Sequence, residues 1–351
     1  MTRVADYLDL VRAPASLTVL GDALVGAVSA AGGSRAMDAT PPQARPAALA
    51  RGSRRTATPA QARPAVLARG SRRTATPAQA RPAALTREAR GTATPVRPAT
   101  PVRTVALAGA SVCLYSAGMA LNDYADADLD AVERPERPIP SGRISRERAL
   151  ATGVVLTAAG VGAAFAAGRA SGLVSLALAA SLWSYDLVFK ATPAGPAVMA
   201  LCRGLDVLLG AAGPSWRGAI LPAAAVAVHT VAVTAVSRGE VSGTTVTTGR
   251  AAVVASTAVA ASGLLGRGDR AAALLGGARY LAAVLPGQLA VARDPGASQA
   301  RDATRAGIRA VVPLQSALTA RAGAPVATAF LLAVETVGRL LSRRRTRGDI
   351  T

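Results

Sequence analysis

Residues 121–145, LNDYADADLDAVERPERPIPSGRIS, hold six of the chain's 20 acids: Asp123, Asp126, Asp128, Asp130, Glu133 and Glu136. Asn122, Asp126 and Asp130 recur every four residues, so on a helix they line one face. Three oxygen donors on one face at the rim of a helical bundle suit Mg²⁺, which takes one or two carboxylates, keeps waters and bridges to substrate phosphates. Arg134, Arg137 and Arg143 follow closely. Carboxylates for a metal and guanidinium forks for phosphate oxygens, within a few turns of each other, suit an Mg²⁺-diphosphate. The simpler alternative is a solvated acidic loop with internal salt bridges. That alternative requires neither the asparagine, nor the four-residue spacing, nor the rigid RPIPSG turn.

Outward from this loop the chain is apolar. Of 351 residues 51% are hydrophobic and 17% charged, against about 25% charged in a soluble domain. Nine apolar runs stand out, near 13–31, 104–121, 149–167, 171–187, 196–213, 219–236, 250–266, 271–292 and 324–341. Most reach the length that crosses a hydrocarbon core of about 30 Å. Their Ala, Gly, Val and Leu let membrane helices approach closely. The segment 304–320 is predicted to be a tilted tenth span or a helix at the interface. The first run follows Asp6 and Asp9 and precedes further spans, so it does not read as a cleaved signal peptide. Disorder throughout is excluded by the apolar half of the chain. A disulfide-stapled fold is excluded because the two cysteines, Cys113 and Cys202, both sit in apolar runs. Nucleic acid is not an expected partner, since 3% aromatic residues offer no stacking platform.

The formal charge is +20, and residues 33–103 supply twelve units of it, with 14 arginines against Asp38 and Glu88. Pro41, Pro59, Pro77 and Pro95 repeat every 18 residues there, around the unit PAQARPAVLARGSRRTAT (59–76). Proline at this density breaks helices, and the pattern has no apolar stripe. We read 33–103 as a disordered insert, a repeat expansion that a loop tolerates at little cost. An arm for anionic lipid or nucleic acid is the sharper alternative. The expected organisation is a first span with a cytoplasmic N-terminus (1–32), the insert, the remaining spans (104–341) and a basic tail (342–351). Basic residues in 122–148 and 293–323 support a cytoplasmic face for those loops. The arginines of the tail oppose it unless 304–320 crosses the membrane.

NDYADADLD and the following RPIPSGRIS together resemble the double signature of the UbiA superfamily of intramembrane prenyltransferases. The wording ERPERPIPSGR is most similar to an EboC-like, actinobacterial branch. The likeness covers about 1–32 and 104–341 and leaves the insert foreign. It implies an all-α, multi-spanning bundle of about nine helices around a central cavity, lying in the cell membrane with its acidic loops facing the cytoplasm. It also implies Mg²⁺-dependent transfer of an isoprenyl group from its diphosphate to an apolar or aromatic acceptor. Asn122, Asp123, Asp126 and Asp130 are then the metal ligands, and Arg134 and Arg137 hold the diphosphate.

Lys190 is the only lysine among 40 basic residues and ends the apolar run YDLVFK (185–190). A compact ammonium suits phosphate. Tyr185 and Lys190 match the family's Tyr-to-Lys motif in place and type, which makes them candidate catalytic residues beside Asp126 and Asp130. A snorkelling interfacial lysine is the ordinary reading. Arg203 and Asp206, three apart inside an apolar run, can pair on one face, where they hold the cavity's shape, orient the diphosphate or touch the acceptor. Asp22 is a further acid inside a span. His229, the single histidine, lies in an apolar run with no second His or Cys near it, so no zinc-type site is expected.

The chain departs from the family at the second Asp-rich motif, where it reads SRGEVSG (237–243). Arg238 is expected to take over phosphate charge, with Glu240 as a metal ligand or as its partner. Two other readings stay open: a non-catalytic isoprenoid-binding or export-associated membrane protein, motivated by this loss, and a transporter, for which no matching halves are visible.

Overall fold

The apolar runs fold as helices. A computed structural model describes residues 3–12, 19–38, 101–213, 215–265 and 270–348, and no strand occurs among them. The helices are α1 (Val4–Leu10), α2 (Leu20–Asp38), α3 (Pro101–Ala125), α4 (Ala127–Glu133), α5 (Arg146–Ala167) and α6 (Arg169–Ser184). A π turn, Tyr185–Phe189, continues α6. Then come α7 (Gly195–Ala211), α8 (Ile220–Ser237), α9 (Val246–Ser262), α10 (Arg270–Arg293), α11 (Ala297–Arg321) and α12 (Pro325–Gly348).

Each of the nine runs overlaps a helix, with 13–18 of the first run and 266 of the seventh outside the described residues, but they are not nine uniform spans. Among the described residues five helical stretches are long and apolar enough to cross a membrane: α3, α5, α6 with its π turn, α8 with the preceding 3-10 turn, and α10. The apolar parts of α2 and α12 are shorter, and α7 and α9 are 17 residues each. Of the expected insert, 33–38 extend α2 and 101–103 open α3, while 39–100 lie outside the described residues. Of the expected tail, residues to Gly348 continue α12.

The ends of the helices follow local chemistry. Ser145 caps α5 by accepting from the Arg148 amide at 3.3 Å, and Thr245 caps α9 by accepting from the Thr248 amide at 3.1 Å. Gly168, at φ 148°, turns α5 into α6 in a conformation other residues avoid. The bundle then packs through small residues. A Cβ on Gly26 would lie 1.9 Å from the Val207 carbonyl oxygen, and one on Gly210 would lie 2.0 Å from the Ala23 carbonyl oxygen. Those two glycines therefore let α2 and α7 cross with backbones in contact.

Segment 304–320 is part of α11, a 25-residue helix with a buried side from Ala300 to Thr319. Gly276 of α10 meets Ala317, and Gly287 meets Ala303, so α10 and α11 run antiparallel in close contact. The interfacial alternative for this segment is thereby replaced by a helix within the bundle. Arg301, Asp302, Arg305 and Arg309 lie on its exposed side, and this charge is why hydropathy alone did not reveal it.

Candidate active site

A cavity of about 530 Å³ opens between α3, α6, α7, α8 and α11. Its wall is mainly apolar, as in Met119, Leu182, Met199, Val233 and Val311. Of the residues predicted from sequence, Asn122, Tyr185, Arg203 and Glu240 line it.

The acidic loop forms its rim. Helix α3 ends at Ala125, and Asp126, at φ −90° and ψ 5°, starts α4. The register nevertheless runs through the break. The Asp126 amide donates to the Asn122 carbonyl at 2.9 Å and the Asp130 amide to the Asp126 carbonyl at 2.8 Å. Asn122, Asp126 and Asp130 therefore keep their four-residue stacking, yet each has its own partner. Asn122 Nδ2 donates to Asp186 Oδ1 at 3.3 Å. Asp126 pairs with Lys190. Asp130 pairs with Arg137 at 2.5 Å, and the same guanidinium reaches Asp123 at 3.3 Å. Asp123 and Asp130 are each 3% exposed, so Arg137 supplies the counter-charge that lets two carboxylates be buried side by side. Arg134 is exposed at the end of α4.

The RPIPSG turn fixes Arg137. Ser141 Oγ donates to the Arg137 carbonyl at 2.6 Å, and the Ile144 amide donates to the Pro138 carbonyl at 3.0 Å. Ile144 is buried against Leu10, Ala120 and Ala149. Gly142, at φ 72°, makes the reversal. Arg143 clasps α1 by ion pairs to Asp6 at 3.2 Å and Asp9 at 2.9 Å. The Arg3 amide first, and Arg143 second, hold the Asp6 carboxyl below its ordinary range. Asp9 first, and Asp6 second, hold Arg143 above its own.

Two contributors were not foreseen. Arg12, which follows α1, pairs with Asp123 at 2.7 Å, reaches Asn122 Oδ1 at 3.4 Å and lines the cavity. A base directly before the first span was the signal. Asp186 lines the cavity beside Asn122 and was visible as an acid inside the apolar run YDLVFK. The π turn sets this corner: the Lys190 amide donates to the Tyr185 carbonyl at 2.8 Å, five residues back. Tyr185 and Asp186 thereby face the cavity while Lys190 meets Asp126. Single π turns inside helices are frequent at functional sites.

The second loop also reaches the rim. Arg238 Nη1 donates to the Thr192 carbonyl at 2.5 Å, which binds this loop to the segment after Lys190. Glu240 lines the cavity, and its carbonyl accepts from Arg301 at 2.5 Å.

Deeper in, Arg203 pairs with Asp22 at 2.9 Å rather than with Asp206. The close crossing of α2 and α7 brings Asp22 to it. Gln315 donates to Asp22 at 2.7 Å, Ser111 donates to Asp206 at 2.8 Å, and Arg203 lies over the Tyr115 ring.

Asn122, Asp126 and Asp186 offer an amide oxygen and two carboxylates, a hard donor set that fits Mg²⁺ when phosphate and water complete the shell. Among the described residues no group of three or more His, Cys, Asp or Glu could hold an ion by itself.

An apolar cavity in a membrane bundle, rimmed by alternating carboxylates and cations, is the architecture of an intramembrane prenyl-transfer fold. The profile of the UbiA prenyltransferase family matches residues 91–306, and the chain belongs to that family. It is similar to the digeranylgeranylglyceryl phosphate synthase of Methanopyrus kandleri, 39% identical over 29% of this chain and 38% of that one. It is 36% identical to the synthase of the same name from Methanoregula boonei, over 37% of this chain and 48% of that one. The chain thus spans between about a quarter and a half of the length of the curated relatives it matches. A solved structure from work on digeranylgeranylglyceryl phosphate synthase in membranes superposes with a TM-score of 0.59 at 13% identity, covering 92% of this chain and 99% of that one. The apo structure of a UbiA homolog from Aeropyrum pernix K1 gives 0.50 at 19% identity, over 62% and 89%. Both show the fold. The relatives place the likeness in an archaeal-type branch, which corrects the expected EboC-like placement. That expectation rested on the wording of one short loop.

Proposed function

We propose that the protein is a membrane prenyltransferase that moves an isoprenyl group from its diphosphate to a glycerol-phosphate-type acceptor. The observation that carries this reading is the Asp126–Lys190 pair at the rim of an apolar cavity. A carboxylate and an ammonium paired with each other are the charges an incoming Mg²⁺-diphosphate needs separately. Asn122, Asp126 and Asp186 hold Mg²⁺ in this reading, with Glu240 closing from the second loop. The ion, when bound, withdraws charge from the diphosphate oxygens. Lys190 and Arg12, held at this corner by Asp126 and Asp123, would supply the cations for the phosphates. Arg137 keeps Asp123 and Asp130 in place. Arg238 holds the 190–195 segment that carries Lys190. Charge growing on the leaving diphosphate is met by cations already positioned, where most barrier lowering arises. The apolar wall keeps water from the allylic carbon. The acceptor name comes from the relatives and replaces the apolar or aromatic acceptor expected from the motif.

The rim is read as cytoplasmic. Arg134, Arg137, Arg143, Arg146 and Arg148 gather at it, while Arg169, Arg217 and Arg270 serve the opposite ends of the helices. With α11 crossing, the basic end of α12 falls on the rim side too.

The test uses membranes containing the protein, labelled prenyl diphosphates of several lengths, Mg²⁺ and glycerol-phosphate acceptors. A labelled lipid product that disappears in Asp126→Asn supports the reading. Mg²⁺-dependent binding without release of diphosphate would support the non-catalytic alternative, for which the lone Glu240 of the second loop is the argument.

A further inference from the structure

Helix α11 has two sides over its first turns. One lines the cavity through Thr304, Ile308 and Val311. The other carries Arg301, Arg305 and Arg309, all exposed and spaced by four, so that they stack along one side. From Ala310 to Thr319 every residue of the helix is buried or half-buried. The cations are thus confined to the stretch of α11 that has an open side.

Their charge is largely uncompensated within the helix. The one acid of α11 is Asp302. It pairs with Arg305 at 3.4 Å, and the two side chains are 75% and 66% exposed, so the pair contributes little. Three arginines against one acid leave this side of the helix cationic. Arg301 is held by the Glu240 carbonyl at the start of the helix, and an arginine near a helix end ordinarily snorkels to the interface. That account suffices for Arg301. At 1.5 Å per residue, Arg309 stands about 18 Å from the first residue of α11. A guanidinium so far along the open side of a membrane helix is costly unless an anion meets it.

The position of Ile308 joins the stripe to the cavity. Ile308 lines the cavity and is 57% exposed, so it forms an edge between the interior and the outside. Arg305 lies one turn before it and Arg309 directly after it. Both lie away from the cavity face, Arg305 about 100° round the helix from Thr304. A phosphate inside the cavity therefore faces Thr304 rather than these arginines, and the anion that fits the stripe is one outside the bundle. Guanidinium forks match phosphate oxygens, and a membrane leaflet presents phosphate at a helix flank. A zwitterionic headgroup also brings an ammonium that the stripe repels.

We propose that Arg305 and Arg309 dock the headgroup of an anionic phospholipid from the leaflet on the rim side, with an acyl chain laid along Ile308. The bound lipid covers the edge of the cavity and forms part of its wall. The inference is independent of the transferase reading, because it concerns the outer side of α11.

The experiment places the protein in phosphatidylcholine vesicles with a trace of photoreactive phosphatidylglycerol, cross-links, and maps the labelled residues. Wild type is expected to be labelled on the first half of α11, with unlabelled phosphatidylglycerol competing and phosphatidylcholine not. Labelling of this stretch should fall roughly fivefold for each arginine removed in Arg305→Gln and Arg305→Gln/Arg309→Gln. Asp302→Asn frees Arg305 from its one acid and should raise labelling by roughly two- to threefold. That gain decides the matter if the arginine variants do not fold. Unchanged labelling in the double variant overturns the inference, as does equal labelling by a photoreactive phosphatidylcholine. Competition by oleoyl glycerol phosphate but not by phosphatidylglycerol would also overturn it, by making the stripe an acceptor subsite.

Discussion

The loops after α3 and after α8 both close the same cavity, and they differ in how they carry charge. The first buries Asp123 and Asp130 around Arg137, pins that arginine with a proline turn, and sets Asp126 against Lys190. The second has one acidic residue lining the cavity, Glu240, and its arginine is bound to backbone carbonyls of the segment that follows Lys190. In the proposed reading the first loop carries the ionic chemistry and the second supports it. A two-fold clamp with equal halves is not what this chain builds, and mutations should show that inequality.

The largest effect is expected in the first loop. Asp126→Ala should cost roughly 10²–10³ in turnover, the scale of losing one preorganised charge-stabilising group, read as labelled product formed per unit of protein. Arg137→Met comes next. It leaves Asp130 buried without its counter-charge, and should cost about 3 kcal/mol of stability, measured as thermal unfolding in detergent. A variant as stable as wild type would show that Arg137 is not the keystone of this loop. In the second loop, Glu240→Gln should cost less than about tenfold in rate, or 1.4 kcal/mol. A loss as large as that of Asp126→Ala would make the two loops equal partners and break the comparison.

The smallest effect concerns the clasp between α1 and the first loop. Asp6 has its folded pKa below the ordinary value because it accepts from the Arg3 amide and pairs with Arg143. Its contribution is therefore present at neutral pH and is lost as pH falls through the carboxylate range. Limited proteolysis of the N-terminal segment should accelerate over that interval in the wild type and not in Asp6→Asn. Equal acceleration in both would assign the effect to another group.

Much of this was legible in sequence because it depends on local spacing. The nine apolar runs marked helices, and NDYADADLD with RPIPSG marked the rim. What was hidden depends on approach between segments far apart in the chain. Arg12 meets Asp123 across 111 positions, and Asp22 takes Arg203 from its near neighbour Asp206 because Gly26 and Gly210 let α2 and α7 touch. Helix α11 was half-hidden because its first half places arginines on an exposed side, which interrupts an apolar run without interrupting a helix. The π turn was hidden as well. Nothing in YDLVFK announces a five-residue step, yet that step is what lets Asp186 and Lys190 serve one corner.

The most direct test is diphosphate release from a labelled prenyl diphosphate by wild type, Asp126→Asn, Lys190→Met and the double variant, with and without Mg²⁺. The expected result is Mg²⁺-dependent release by wild type, a fall of about 10² or more in each single variant, and a double variant little worse than either, because the two groups act as one unit. Release by Asp126→Asn or Lys190→Met at the wild-type rate would contradict the assignment of this pair as the seat of the chemistry.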